Sequence, residues 1–258
     1  VLLAPGDYDE DQILASGINY HLMPGARVVR SSGSNTIIQA LANSTNVITG
    51  YGSFIHNGTG IGVELRGDNQ ALEMQFNDII CQGQKGIDYG STFLRGEFQG
   101  SRIFSENNSS VKGGGASAGS TGRVVFDVQR YESGATSSNP TLNLTQMTHS
   151  VFQNGRVISR SSSTLSTIFL GLNSPAQTTN VYFNNLAIAN FGSGSGIRTG
   201  GTADPDSRCI MGDNYIYLAD PAGLAVEVRN NLCKIDFVGN IKSNRDIGGS
   251  AYLTATQL

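Results

Sequence analysis

Length, composition and charge exclude several classes of protein. Of the 258 residues, 14% are charged and 38% are hydrophobic, and the net charge is −3. A chain with so few lysines and arginines is a poor candidate for binding nucleic acid. No apolar run reaches the ~18 residues that a membrane-spanning helix needs. The hydrophobic content is sufficient for a long core, so general disorder is also excluded.

The opening segment predicts short strands that alternate with Pro-Gly turns. Residues 1–8 contain a strand with a turn at Pro5-Gly6, and residues 17–29 contain two strands separated by Pro24-Gly25. Residues 7–11 are acidic and superficially resemble the start of a calcium loop. Ile18 stands where that loop needs its final glutamate. We therefore expect a solvated turn at residues 7–11.

A looser phrase recurs along the rest of the chain. Each copy has a short strand, an aromatic or aliphatic residue, one or two polar residues and a glycine. The copies can be anchored on Phe54, Ile80, Phe98, Phe152, Ile188 and Phe237. The steps between anchors suit an irregular repeat of about 18–28 residues, and repeats of this size are typical of solenoids.

The composition favours one kind of solenoid, the parallel β-helix. Gly, Ser, Asn and Thr supply 101 of the 258 residues. Successive coils of a β-helix lie ~4.8 Å apart, so equivalent side chains form columns in which like charges repel and Asn, Ser, Thr, Val, Ile and Phe stack well. The sequence predicts an all-β parallel β-helix of about ten coils, a single domain over residues 1–258. A β-sandwich is the alternative, although strict alternation occurs only in patches such as residues 141–145 and 226–228.

Four stretches of low complexity interrupt the strand-like copies. They are residues 109–122, 133–139, 161–164 and 192–201, and all are rich in Gly or Ser. Strand-like segments resume on both sides of each stretch. We therefore predict loops that project from the coils rather than linkers between domains.

Neither the cysteines nor the first residue indicates a metal site, a disulfide or a catalytic residue. Cys81, Cys209 and Cys233 are far apart and each adjoins Ile or Leu. No C-x-x-C pair occurs, so a zinc site or a disulfide framework has no support and three buried thiols are expected. Because Val1 is not a start methionine, we expect the chain to be processed or to be part of a longer protein.

The opening segment resembles a known superfamily. The residues LLAPGDY at 2–8 and GINYHLMPGARVV at 17–29 resemble the first coil of pectate-lyase-like right-handed β-helix proteins. They are most similar to tailspike, tail-fibre and other virion-associated members from bacteriophages. The rest of the chain resembles these proteins only in its pattern of repeats. The resemblance implies a right-handed parallel β-helix. It leaves function open, because the superfamily includes lyases, hydrolases, epimerases and inert rods.

The sequence patterns of the catalytic members of that superfamily are absent. Its hydrolases carry adjacent Asp pairs with Gly-His and Arg-x-Lys elements, and its lyases carry a Trp and an Asp-His pair; this chain has neither an Asp-Asp dipeptide nor any Trp. The sequence therefore leans against an enzyme without deciding the question. No catalytic, cofactor-binding or metal-ligating residue is predicted, and no cofactor. The best local carboxylate pair, Asp204 and Asp206 around Pro205, suits a turn better than a metal or sugar site, though it leaves all three open.

Weaker candidates remain among the other polar residues. Five acids in or near strands could line an outer groove, where hydrolysis would need two carboxyl groups on neighbouring coils: Asp78, Asp88, Glu97, Asp127 and Asp236. Six tyrosines could offer rings to a sugar: Tyr51, Tyr89, Tyr131, Tyr182, Tyr215 and Tyr217. The three histidines are expected to stack on the surface: His21, His56 and His149.

The function expected from the resemblance and the missing catalytic patterns is a non-enzymatic rod. It would be a virion part, associated with a phage tail, that serves a structural or receptor-binding role and contacts glycans. The expected partners are other virion proteins or copies of itself, such as a trimer, and a host surface polysaccharide, with no nucleic acid and no membrane insertion. The first alternative is a polysaccharide depolymerase, either a lyase or a glycoside hydrolase. The second is a secreted bacterial adhesin.

Overall fold

The computed structural model describes most of the chain. The described residues are 1–9, 12–14, 17–65, 70–89, 95–113, 123–145, 149–172, 180–201, 208–229, 234–245, 247–249 and 253–254. Within them the chain forms 26 β-strands and no helix. None of the described segments is therefore an apolar helix of membrane-spanning length.

The strands are short at both ends of the chain and long in the middle. They are β1 (Leu2–Leu3), β2 (Gly6–Tyr8), β3 (Gln12–Leu14), β4 (Tyr20–Leu22), β5 (Ala26–Arg30), β6 (Ile38–Ala40), β7 (Thr45–Gly50), β8 (Ser53–His56), β9 (Val63–Leu65), β10 (Ala71–Cys81), β11 (Ile87–Tyr89), β12 (Arg95–Ser105), β13 (Val111–Gly113), β14 (Arg123–Ser133), β15 (Leu142–Thr145), β16 (Ser150–Ser159), β17 (Ile168–Leu172), β18 (Asn180–Asn190), β19 (Ile197–Gly201), β20 (Arg208–Met211), β21 (Asn214–Leu218), β22 (Val226–Val228), β23 (Lys234–Phe237), β24 (Ile241–Ser243), β25 (Ile247–Gly249) and β26 (Leu253–Thr254).

Two parallel sheets enclose one core. The first, here called the long sheet, has 16 strands. Eleven of them follow the path β1-β4-β7-β10-β12-β14-β16-β18-β20-β23-β26. The other five form two side branches, β2-β5-β8, which pairs with β10, and β21-β24, which pairs with β18. The second, the short sheet, runs β3-β6-β9-β11-β13-β15-β17-β19-β22-β25. Every strand pair in the described residues is parallel. The sandwich alternative, which needs antiparallel hairpins, is therefore wrong.

The predicted all-β parallel β-helix is confirmed. Each coil passes through the long sheet and then adds one strand to the short sheet, in the right-handed sense expected of parallel crossovers. About seven turns are regularly wound. The predicted count of about ten coils is slightly high for this regular part, because the outermost passes consist of very short strands such as β1 and β26, with two residues each.

One largely buried column gives the repeat length of the coils. It runs through the long sheet as Tyr20, Ile48, Met74, Phe98, Phe126, Phe152, Phe183, Met211 and Phe237. Its steps are 24 to 31 residues, and all but the step from Phe152 to Phe183 lie within the predicted 18–28. Two predicted anchors, Phe54 and Ile188, belong instead to a second column through Ile79, Ile103, Tyr131 and Val157. The anchor Ile80 lies in a third column with Ile55 and Phe104, so the short step of 18 residues from Ile80 to Phe98 joined two different columns.

The prediction of projecting loops is wrong for parts of two low-complexity stretches, because residues 109–122 contain the core strand β13 and residues 192–201 contain the core strand β19. Serines from all four stretches are buried at the corners of the coils: Ser109, Ser110, Ser137, Ser161 and Ser195. The hydroxyl of Ser161, for example, donates to the carbonyl of Ser137 one coil away at 2.7 Å. The hydroxyls of Ser110 and Ser137 likewise donate to backbone carbonyls, so these small polar side chains satisfy corner carbonyls. Residues 114–122 lie outside the described residues.

The buried thiols lead to a first prediction. Cys81 and Cys209 are buried, whereas Cys233 lies outside the described residues. Burial raises the pKa of Cys81 to about 12. We expect Cys81 in the native protein to resist iodoacetamide at pH 8 and to react after unfolding in urea, as measured by peptide mass spectrometry. Equal labelling of Cys81 in both states would contradict its buried position.

Candidate functional site

The long strands turn at one corner, and the backbone there is unusual. Asn154 in β16 and Asn185 in β18 have φ of 59° and 53°, the left-handed region that most residues with a Cβ avoid. Gly155 follows, and a Cβ on it would lie 2.1 Å from the carbonyl oxygen of Val128. Conformational strain of this kind tends to concentrate at functional sites.

A groove of about 830 Å³, here called the basic groove, runs along this corner. Its lining is Ser101, Gln129, Arg130, Asn154, Gly155, Arg156, Asn185, Leu186, Ala187, Asp213, Asn214, Tyr215, Asn240 and Lys242. These residues come from six successive coils, so at ~4.8 Å per coil the groove extends ~24 Å along the axis of the rod. That length suits several consecutive sugars of an extended oligosaccharide.

The floor of the basic groove is a ladder of amides. The Asn154 side chain donates to Asp127 at 3.3 Å, and the Asn185 side chain donates to Asn154 Oδ1 at 3.1 Å. On the next coils, Asp213 Oδ1 accepts the backbone N–H of Asn240 at 2.7 Å. These bonds fix the side chains of Asn154, Asn185 and Asp213, and all three residues, like Asn240, are exposed. They offer donors and acceptors to a hydroxyl-rich ligand.

One wall of the basic groove is a column rich in cations. The register of the long sheet stacks Asp78, Arg102, Arg130, Arg156, Ala187, Tyr215 and Lys242. Three arginines thus follow one another at the spacing of the coils. Like charges directly opposite on neighbouring strands destabilise a sheet, so this column needs a compensating interaction.

Glu132 compensates part of this charge. Its side chain is only 2% exposed, and its carboxylate forms ion pairs with Arg102 at 3.1 Å, with Arg130 at 2.9 Å and with Arg160. Burial of the carboxyl works to raise its pKa, but the bonds from Arg160 and Arg130 and the charges of Arg130 and Arg102 outweigh burial and lower the pKa of Glu132. Three guanidinium groups therefore share one buried carboxylate, and the cluster keeps a surplus of positive charge.

Two cations of the basic groove have no carboxylate partner in the described part of the chain. Arg156 and Lys242 are exposed, and neither forms an ion pair with any residue that the structure describes. Both lie in one column of a chain with only 14% charged residues, where Ala187 and Tyr215 separate them and Arg156 also lies directly opposite Arg130. This arrangement suits an anionic ligand.

A second, smaller groove is acidic. It has a volume of about 290 Å³, lies on the first half of the long strands and includes Glu73, Glu97 and Asp127 in its lining. Glu73 and Glu97 are directly opposite each other on neighbouring coils, and Arg95 Nη2 contacts them at 3.3 and 2.7 Å. The two carboxylate oxygens that it bridges are therefore at most about 6 Å apart. We call this site the acidic groove.

The predicted acids have different outcomes. Glu97 and Asp127 do line one outer groove, as the carboxylate hypothesis required. Asp88 is buried against Lys85 at 2.9 Å and cannot face a ligand, while Asp236 lies 4.0 Å from Arg208. Asp78 lies opposite Arg102, at the start of the column that contains Arg102, Arg130 and Arg156.

The supposed calcium loop contains a strand. Asp7 lies in β2 and forms an ion pair with Arg27 on the next coil at 2.6 Å. The expected solvated turn is therefore wrong at this position, because β2 pairs with β5. Residues 10 and 11, and the pair Asp204 and Asp206, lie outside the described residues. Within the described part of the chain, no group of three or more His, Cys, Asp or Glu residues could hold a metal ion.

Burial divides the candidate tyrosines. Tyr215 and Tyr217 are 49% and 40% exposed, and Tyr215 lines the basic groove. Tyr51 is exposed outside both grooves. Tyr89 and Tyr131 are buried in the core, so they cannot touch a ligand. Tyr182 is partly buried.

The histidines also divide by position. His21 and His149 are exposed, and His21 bonds to Thr49 one coil away at 2.8 Å. His56 is buried, so surface stacking is wrong for it. Its Nε2 lies 2.7 Å from the carbonyl oxygen of Asn35, and its Nδ1 accepts the N–H of Gly58 at 3.0 Å. The ring therefore satisfies a corner of the coil.

The sequence carried signals for both grooves. Residues 73–76 (EMQF) and 97–100 (EFQG) repeat after one coil, and this repeat places Glu73 opposite Glu97. Arg102, Arg130 and Arg156 likewise recur at the coil length. The apolar anchors come from three different columns and give no register between coils, so they do not reveal either repeat.

Comparison with known proteins gives no match: no family, no curated protein and no solved structure matches this chain.

Proposed function

We propose that the protein is a non-enzymatic binding rod whose basic groove holds an extended acidic polysaccharide. The observation that carries this proposal is a pair of exposed cations, Arg156 and Lys242, that form no ion pair with a described residue and lie in a groove that spans six coils. Anionic groups of the glycan would meet these cations, and its hydroxyls would meet the amide ladder. The parallel coils supply the rigid scaffold.

A place in a virion, as a receptor-binding or structural part of a phage tail, belongs to the same proposal. It is supported by the resemblance of residues 2–8 and 17–29 to tailspike and tail-fibre proteins and by the fold. A secreted adhesin would use the same groove. Neighbouring genes decide between the two: tail or capsid genes support the virion, and secretion genes contradict it.

The binding test uses the full chain and immobilised polysaccharides. We expect alginate, hyaluronate or polygalacturonate to bind at low ionic strength, with dextran as the neutral comparison. Arg156→Ala and Lys242→Ala should each weaken binding about tenfold, because each removes a charge-assisted hydrogen bond. Added salt should reduce the affinity of the wild type and make the affinities of the wild type and the two variants more similar.

Arg123→Ala is the matched control. Arg123 is also an exposed arginine on the long sheet, but it lies outside the basic groove. Its loss should leave binding within about twofold. Equal losses for Arg123→Ala and Arg156→Ala would indicate non-specific charge attraction, and no binding to any acidic polysaccharide would overturn the proposal.

The acidic groove favours a second candidate, a glycoside hydrolase. Retaining hydrolases hold two carboxyl groups ~5–5.5 Å apart, and the Glu73–Glu97 pair falls within about 6 Å. It ranks second because Arg95 pairs with both carboxylates, whereas one member of a catalytic pair must carry a proton. Reducing ends released from a polysaccharide by the wild type, and lost in Glu97→Gln, would establish this candidate in place of the inert rod.

A further inference from the structure

The exposed aromatic rings next to the basic groove form a second surface. Phe191, Tyr215 and Tyr217 are 53%, 49% and 40% exposed. Phe191 and Tyr217 have ring centroids 6.3 Å apart at 55°, so the two rings do not cover each other face to face. The guanidinium carbon of Arg160 lies 6.0 Å from the centre of the Phe191 ring. We call the three rings the aromatic platform.

Small side chains leave a slot beside the platform. In the register of the long sheet, Ala187 lies between Arg156 and Tyr215, and Ala189 lies between Ile158 and Tyr217. The residues on either side of each alanine are two coils apart, about 9.6 Å. Alanine fills little of that width, so one flat ring can enter beside the tyrosines.

The platform and the groove run in different directions. The basic groove follows the axis of the rod from coil to coil, whereas Tyr215 and Tyr217 follow each other along one strand. Tyr215 belongs to both surfaces. The combined surface is therefore L-shaped, with its corner at Tyr215.

We infer that the aromatic platform is a subsite for a sugar ring carried as a side branch of the acidic glycan, an inference that rests on the proposed function. The main chain of the glycan occupies the axial groove, and the branch turns at Tyr215 across the strand. The apolar face of the sugar stacks on the rings of Tyr217 and Phe191. Arg160 lies at the far end, where it can donate to a ring hydroxyl or an acidic substituent.

Two variants of the full chain test the platform. The double variant Phe191→Ala/Tyr217→Ala removes the rings, and Ala189→Leu fills the slot. Tyr51→Ala is the matched control, because Tyr51 is 52% exposed and lies outside both grooves. Circular dichroism checks that each variant keeps its strands. Binding is measured by biolayer interferometry on xanthan, which is acidic and branched, and on alginate, which is acidic and linear.

We expect both platform variants to bind xanthan at least about fivefold more weakly than the wild type, and to bind alginate within about twofold of it. Tyr51→Ala should match the wild type on both. Unchanged xanthan affinity in the platform variants, or wild type that binds alginate but not xanthan, overturns the platform and leaves the proposed function standing. Wild type that binds neither polysaccharide overturns the proposed function and the platform with it.

Discussion

Replacing Phe126 by alanine is expected to lower the free energy of unfolding by about 4 kcal/mol. The Phe126 ring is buried between Phe98 and Phe152, with centroids at 4.7 and 4.8 Å and interplanar angles of 12° and 6°. Tyr131 meets its edge at 6.5 Å. The truncation removes stacking on both sides and leaves a cavity that the hydrogen-bonded coils cannot close. Urea unfolding followed by circular dichroism measures the change.

Phe191→Ala is the control for this prediction, because that ring is half exposed. It should change the free energy of unfolding by no more than about 0.5 kcal/mol. Since each coil of a solenoid contacts mainly its neighbours, hydrogen exchange in Phe126→Ala should rise most in β12, β14 and β16. An effect as small as that of Phe191→Ala would show that the phenylalanine column does not stabilise the rod.

Composition and stacking physics were enough to predict the architecture. A chain poor in charge and rich in Gly, Ser, Asn and Thr suits columns of like residues, and the resemblance of the first coil pointed the same way. The coil length was harder to obtain. Phe98 and Phe152 belong to one buried column and Phe54 to another, yet all three look alike in sequence. Only the hydrogen bonds between coils assign a residue to its column.

The candidate site was less predictable for a related reason. Arg102 and Glu132 are 30 positions apart and meet only because the register brings neighbouring coils together. The turns between coils vary in length, so no fixed spacing marks such pairs. Asn154 and Asn185 carried no signal of their positive φ, since asparagine is abundant throughout the chain. Exposure likewise separated Tyr215 from Tyr131, which sequence alone treated as equal candidates.

Glu132→Gln is expected to give the second large effect, a decrease of about 2–3 kcal/mol in the free energy of unfolding at pH 7. Glutamine keeps the shape of the side chain but removes the charge that holds Arg102, Arg130 and Arg160 together. Breaking a buried ion pair costs about 3–5 kcal/mol. The value is reduced here because the three arginines are 35%, 39% and 48% exposed, so water screens part of their repulsion.

The pH dependence of this loss has a definite sign. Because the pKa of Glu132 is lower in the folded protein than its ordinary value of 4.5, the folded state favours the ionised form. The stabilisation is therefore complete above the ordinary pKa and declines as the pH falls from there through the lowered pKa. The difference in unfolding free energy between wild type and Glu132→Gln should be constant near neutral pH and shrink below about pH 4.5.

Glu73→Gln separates the buried carboxylate from an ordinary surface ion pair. Glu73 also contacts an arginine on the neighbouring coil, but its side chain is 49% exposed and that of Arg95 is 59% exposed. Exposed pairs contribute about 0–1 kcal/mol, so this variant should remain close to the wild type from pH 3 to pH 8. If the unfolding free energy of Glu132→Gln also stayed close to that of the wild type from pH 3 to pH 8, the buried carboxylate would not be what stabilises the three arginines. The cation column would then have to be stable without it, which the stacking of like charges on neighbouring coils argues against.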